Sequence, residues 1–427
     1  MVVAPGVLTE GNILMKKTIP ADLTACSRRI VIFVKRLTAC GRGSSGNGSL
    51  VPDIHVGPVN GTAVVQASVR AILCASLCAL PASCTGTHHF YVATTGSDAN
   101  PGTQDAPFLT IAHADSRASA GYTIHVAPGI YTVSAPLAKS SGILTTKSGT
   151  SSARIKFVSD VKGAAKIVVS GIGTAWHSKG SYVDIVGFDI SGTGRHGILA
   201  AGNHLTISHN FVHDLKISGG CNGRGGAGID TYGPIGNIVI NANVVRNIGY
   251  AMRGSCNTVH GIYVASPNNI VTNNIVSGAA AVGINQWHGA TAGTIVHNTT
   301  FHNKIGILLG QGDRGATLAG SENNYVANNI VYNNITYGIV EGGKMGGNNR
   351  YVNNLVHSNG TNWRVQGAVS GTISADPLFV DYKADGSGDY RLQSKSPAVG
   401  RGAGTKLLRA DRSGTTAGTP DLGAYGN

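Results

Sequence analysis

From Gly197 onward the chain falls into short apolar runs separated by polar, turn-forming residues, and a Gly-Ile pair recurs at Gly197-Ile198, Gly228-Ile229, Gly261-Ile262, Gly283-Ile284, Gly306-Ile307 and Gly338-Ile339. After each pair comes a second strand-like run with an asparagine at a matching place: Asn210, Asn243, Asn274, Asn298, Asn329 and Asn354. The steps between the glycines are 31, 33, 22, 23 and 32 residues. They describe a basic turn of about 22 residues, three turns carrying insertions of roughly ten, which suits a coil of a parallel β-helix. Coils of this kind stack about 4.8 Å apart by strand pairing, so each apolar residue sits over its counterpart and the interior is predicted to consist of Ile and Val ladders. The asparagine column reads as scaffold, because side-chain amides at a bend hydrogen-bond their copies above and below.

If the Ile of each pair points inward, period-two alternation turns the next residue outward. One outward row is then Leu199, Asp230, Tyr263, Asn285, Leu308 and Val340, and a second is Ala201, Tyr232, Ala265, Trp287, Gly310 and Gly342. The polar and aromatic members gather in the middle coils. Asp230, Tyr232, Tyr263, Asn285 and Trp287 are expected to form one patch, bordered at the turns by His288, Gln311, Asp313 and Arg314. Aromatic faces beside hydrogen-bonding groups are what a sugar chain requires, since pyranose faces are apolar and their edges carry hydroxyls.

Composition agrees with an all-β solenoid. The 427 residues include 61 Gly, with 12% charged and 6% aromatic residues, which suits tight turns between short strands and disfavours a helical bundle. The formal charge is +13, and residues 1–87 hold 8 Lys/Arg against 3 Asp/Glu, leaving 25 against 17 in the remainder. A positive field draws in acidic polymers. Nucleic acid is not expected as a partner, because no Lys/Arg run with interleaved aromatics occurs.

The N-terminal region differs in character. Residues 1–66 lack sustained periodicity and read as a doubtful extension, whereas 67–87 resemble a secretion signal: Arg70, the apolar run Ala71 to Leu80, then Ala82-Ser83-Cys84. Ten apolar residues are too few to span a membrane. A signal at this internal position implies a translation start near Val69. The box ending at Cys84 loosely matches a lipoprotein cleavage site, although Pro81 weakens that match. The expected location is therefore secreted or cell-surface, with residues 88–427 forming one domain. Five of the seven cysteines fall in the leader, leaving Cys221 and Cys256, each followed by Asn and each a few residues before a repeat glycine. Stacked insertions in an exported protein lead us to expect a disulfide between them. No CxxC pair supports zinc.

The stretches Phe90 to Thr103, Ala106 to Ala112 and Ile124 to Tyr131, with Ala375-Asp376-Pro377-Leu378-Phe379-Val380, Asp389-Tyr390-Arg391-Leu392, Ser396 to Gly400 and Asp421 to Tyr425, resemble the opening and closing modules of secreted right-handed parallel β-helix proteins, the pectate lyase-like superfamily. The resemblance covers roughly residues 89–427. It implies a right-handed solenoid with an N-terminal capping segment and a C-terminal closing segment. Tyr122 and the terminal Tyr425-Gly426-Asn427 depart from the pattern, where relatives more often carry acids.

The resemblance further implies polysaccharide chemistry. The reaction suited to an acidic polymer is β-elimination at a uronate, in which a base takes the C5 proton while a cation neutralises the carboxylate. Tyr263 or His288 is the expected base and Arg314 the carboxylate partner, with Lys344 a second basic candidate. Related lyases often use calcium, yet the chain's acids are scattered, and only a weak site at Asp230 with Asp313 or Asp214 is conceivable. Hydrolysis ranks lower, since it wants two facing carboxylates and the chain has no Asp-Asp pair. His196 and His260, immediately before repeat glycines, read as turn hydrogen-bonders. The alternatives to a lyase are a non-catalytic carbohydrate-binding or adhesive solenoid and a uronate C5-epimerase. A capped solenoid requires no second copy, so a monomer is expected.

Overall fold

The repeat closes into three parallel sheets, and their strand order shows how. In the computed structural model, which describes residues 88–221, 224–233, 235–249, 256–312, 320–404 and 419–425, one sheet has eleven strands and two have nine, with neighbours always one coil apart in sequence. The chain divides into two units, Met1–Gly86 and Thr87–Asn427. The extension, the signal-like segment and Cys84 lie outside the described residues, as do Asp313, Arg314, Gly426 and Asn427.

The Gly-Ile pairs all lie in one nine-stranded sheet. Ile198, Ile229, Ile262, Ile284, Ile307 and Ile339 pair in unbroken register and are fully buried. The glycine before each Ile is required by packing. A Cβ at Gly197 would stand 2.6 Å from Val212 Cγ1 and one at Gly228 would stand 2.7 Å from Val245 Cγ1; Val276, Val331 and Val356 fill the same space at Gly261, Gly306 and Gly338. The valine of the facing sheet thus takes the volume that a side chain would need.

The asparagine column forms the expected ladder. Asn210, Asn243, Asn274, Asn298 and Asn329 each donate Nδ2 to the Oδ1 of the next, ending at Asn354, at 2.9–3.1 Å. Each Oδ1 from Asn243 on also accepts the backbone N–H of the preceding ladder asparagine. The run that reads as one strand is in fact a corner: Thr206–Ser208 ends before Asn210 and Phe211–Ile217 begins after it, in a different sheet. The residue before each ladder asparagine has positive φ, at His209, Ala242, Asn273, His297, Asn328 and Asn353. Five of these six are Asn or His, types enriched in the left-handed region relative to other non-glycine residues. A second amide ladder, Asn303 to Asn334 to Asn359, follows the next corner.

At the N-terminal end, Asp98 accepts from the N–H groups of Leu109 and Thr110, and Thr110 caps the helix Ile111–Arg117 by accepting from His113 N. That helix buries Ile111 and Ala114. The closing segment packs on the flank of the coil. Phe379, Tyr390, Leu392, Leu422 and Ala424 join Ile275, Phe301, Ile330 and Leu355 in a second apolar cluster, and Ala424 N donates to Thr299 Oγ1 at 3.0 Å. With that flank covered, the Gly-Ile sheet keeps an open outer face.

Candidate active site

On that sheet the strands Gly226–Thr231, Val259–Val264, Val282–Gln286 and Ile305–Gln311 lie side by side. Their pairing places Leu199, Asp230, Tyr263, Asn285, Leu308 and Val340 in one column, as alternation predicts. A cavity of about 640 Å³ opens over its middle. Asp230, Tyr263 and Asn285 line it, Tyr232, Trp287 and His288 also belong to its lining, and the insertions contribute Arg224 and Cys256 to Thr258.

The aromatic members are held by packing. Trp287 lies against Gly310, where an added Cβ would collide with its ring, and within 3.6 Å of one at Gly342. The two glycines in its row therefore make room for the indole. Tyr263 stacks on His260 with ring centroids 4.7 Å apart and meets the edge of His288 at 5.7 Å. Tyr232 is 63% exposed and offers its ring to the solvent.

Beneath the aromatics lie two matching pairs. Asp230 reaches back to His196 of the preceding coil, Oδ2 to Nδ1 3.1 Å, and Asn285 reaches back to His260, Nδ2 to Nε2 3.2 Å. All four side chains are buried. In the first pair the approach lacks hydrogen-bond alignment: His196 Nδ1 and Asp230 Oδ1 have no hydrogen-bond partner, and neither has Asn285 Oδ1 in the second. Burial raises the Asp230 carboxyl to about 7, opposed by the charge of Arg195. It lowers His196 to about 3, assisted by Arg195 and His177, and lowers His260 to about 3, assisted by His288. Both imidazoles are thus neutral near pH 7.

Three cations border these groups: Arg195, Arg224 and Lys304. Arg195 Nη2 donates to Arg224 O at 3.2 Å. Lys304 Nζ donates to Cys256 O at 3.1 Å and Asn257 Oδ1 at 2.8 Å. The expected disulfide is present: Cys221 and Cys256 are joined, with Cα atoms 5.0 Å apart. It ties the two insertions together beside the cavity. Asp230 is the one carboxylate among the described lining residues.

The remaining expected site residues are placed otherwise. Gln311 is buried, and its Oε1 accepts from Gly289 N at 2.8 Å, supporting the turn after His288. Lys344 is exposed on the following coil, outside the cavity lining. Asp214 belongs to another sheet, bonded to His213 and Asn247. Among the described residues no three His, Cys, Asp or Glu side chains come together in a metal-holding group, and Asp313, expected to share a weak calcium site with Asp230, lies outside them.

Sequence reasoning missed Arg195, Arg224 and Lys304 and read His196 and His260 as turn residues. Strict alternation gives His196 the parity of the inward Ile198. The strand kinks at the glycine instead, so that the Gly197 Cβ direction and Ile198 both face the core while His196 reaches the outer column. The available signal was the recurrence of His-Gly-Ile at 196–198 and 260–262.

The family model for the Pel9A-like, right handed beta helix region matches residues 90–374. Among solved structures, pectate lyase Pel9A superposes with a TM-score of 0.58 at 18% identity, covering 80% of this chain and 96% of that one. A rhamnogalacturonan lyase gives a TM-score of 0.56 at 17% identity, covering 72% and 96%. A glycoside hydrolase gives 0.49 at 10% identity, covering 67% and 96%. No curated protein matches the chain by sequence.

Proposed function

The chain belongs to the Pel9A-like right-handed β-helix family, and from that premise we propose that it is an exported polysaccharide lyase that cleaves a uronate-containing chain by β-elimination. The observation that carries this reading is the charge of the cavity: Arg195, Arg224 and Lys304 stand against the single carboxyl of Asp230, which burial biases toward its neutral form. A cavity so biased favours an anionic sugar. Hydrolysis by paired carboxylates needs a second acid facing the first, and the described lining residues supply none.

In the reaction, the uronate carboxylate pairs with Arg195 and Lys304, the part that the sequence suggests for Arg314. Withdrawing charge into these cations stabilises the enolate that forms when C5 loses its proton. Tyr263 is the base that takes that proton. Its ring stacks on His260, whose Nε2 lies 3.2 Å from Asn285 Nδ2. His288, edge-on to Tyr263, is the second candidate base. Trp287 and Tyr232 supply faces for flanking sugars. The Cys221–Cys256 disulfide supports export, because such bonds persist in oxidising compartments.

The test is incubation with pectate, alginate and glycosaminoglycans, with and without calcium, following the ultraviolet absorbance of unsaturated uronides. A substrate-specific rise is expected, and Tyr263→Phe is expected to lower kcat by about 10²–10⁴, the range of general acid–base catalysis. Silence across the panel from folded protein would leave a carbohydrate-binding solenoid. A change in uronate composition without cleavage would indicate an epimerase.

A further inference from the structure

The two polar pairs on the cavity floor occupy matching positions two coils apart, one with a carboxyl where the other has an amide. His196 with Asp230 and His260 with Asn285 each join a residue of the outer column to the histidine one coil back, and the second pair lies two coils beyond the first. The scaffold does not require polar groups there, because Leu199, Leu308 and Val340 occupy the same column. A buried carboxyl oxygen without a donor is costly, and Asp230 Oδ1 has none. The cost is understandable if a ligand completes the site.

Elimination requires two proton transfers at neighbouring sugar atoms, off C5 and onto O4. Asp230 and Tyr263 pair directly across adjacent strands, about 4.8 Å apart in backbone, and both line the same cavity. We infer that Asp230, 3.1 Å from His196, donates the proton taken up by the departing glycosidic oxygen, while the Asn285–His260 pair stays neutral and binds. The C5–H electron pair becomes the C4=C5 bond, and the C4–O4 bond breaks with its pair leaving on O4. The Asp230 proton goes to O4, the C5 proton remains on Tyr263, and exchange with water restores both. The groups facing Asp230 from the adjoining strands are Arg195 and His196 on one side and Tyr263 on the other. Burial keeps the carboxyl protonated into the neutral range, as a donor must be.

This inference rests on the elimination reading, and the experiment separates the two. The full chain, Asp230→Asn and His196→Gln would each be assayed on the active glycan from the panel and on a uronide bearing fluoride at C4, a leaving group that departs with little help from an acid. Asp230→Asn is expected to lower kcat on the glycan by about 10²–10⁴ and to leave defluorination within about threefold of wild type. His196→Gln should show the same split in weaker form, and it serves if Asp230→Asn does not fold. Equal losses on both substrates, or full glycan turnover in Asp230→Asn, would overturn the donor role while leaving the lyase reading intact. No unsaturated product from wild type on any substrate would remove both.

Discussion

Asn274 sits at the middle of the buried amide ladder, and its removal tests whether the ladder holds the solenoid. Its Oδ1 accepts from Asn243 N at 2.9 Å and Asn243 Nδ2 at 3.0 Å, and its Nδ2 donates to Asn298 Oδ1, Ile240 O and Thr272 O. In Asn274→Ala the Asn298 oxygen keeps the bond from Asn274 N, and Asn243 Nδ2 keeps Ile207 O. The Asn243 N–H and one Asn243 amide hydrogen lose their acceptor in a fully buried site. Two orphaned donors at roughly 1–2 kcal/mol each, with the lost packing, give a destabilisation of about 3–4 kcal/mol. Urea denaturation followed by tryptophan fluorescence would measure it. Asn243→Ala should cost a similar amount, and the double variant less than the sum by about 1–2 kcal/mol, because the shared bonds are lost only once. As a control, the exposed amide pair Asn348–Asn323 should tolerate Asn348→Gly within about 0.5 kcal/mol, since glycine accepts the positive φ. A loss below about 1 kcal/mol in Asn274→Ala would refute the reasoning.

Two further outcomes follow from the site. Replacing both Cys221 and Cys256 by Ser opens a link with a sequence separation of 35, and should lower stability by about 4 kcal/mol in the chain-entropy model; unchanged denaturation midpoints would count against it. Acid should destabilise the fold through the buried histidines. His196 and His260, near 3 when folded against 6.5 in the free side chain, contribute stability that is present above pH 6.5 and lost as pH falls toward 3. Asp230, raised from 3.8 to about 7, acts oppositely, its proton favouring the folded state less as pH rises. Among these three groups the two histidines outweigh the one carboxyl, so together they make stability rise with pH between roughly pH 4 and 6.5. Denaturation across that range should show the slope, and His260→Gln should flatten it; a flat wild-type profile would contradict the assigned burial.

Residues in local repeat positions were legible in the chain itself. The Gly-Ile and Asn repeats determined the coil length, the Ile ladder, the amide ladder and the outer column of Asp230, Tyr263 and Asn285, because each depends on a period that strand pairing converts directly into stacking. Cys221 and Cys256 were readable for a similar reason, lying in insertions of consecutive coils. The tertiary structure alone decided the rest. The kink at Gly197 and Gly261, where Val212 and Val276 from the facing sheet exclude a side chain, turned His196 and His260 outward against strict alternation. The insertions then brought Arg224 and the Cys256 loop to the same cavity, and the loop's carbonyl holds Lys304 there. Periodicity predicts which residues share a row; it carries no term for how a bend re-aims a strand or where an inserted loop folds back, and the charge of this cavity comes from those two events.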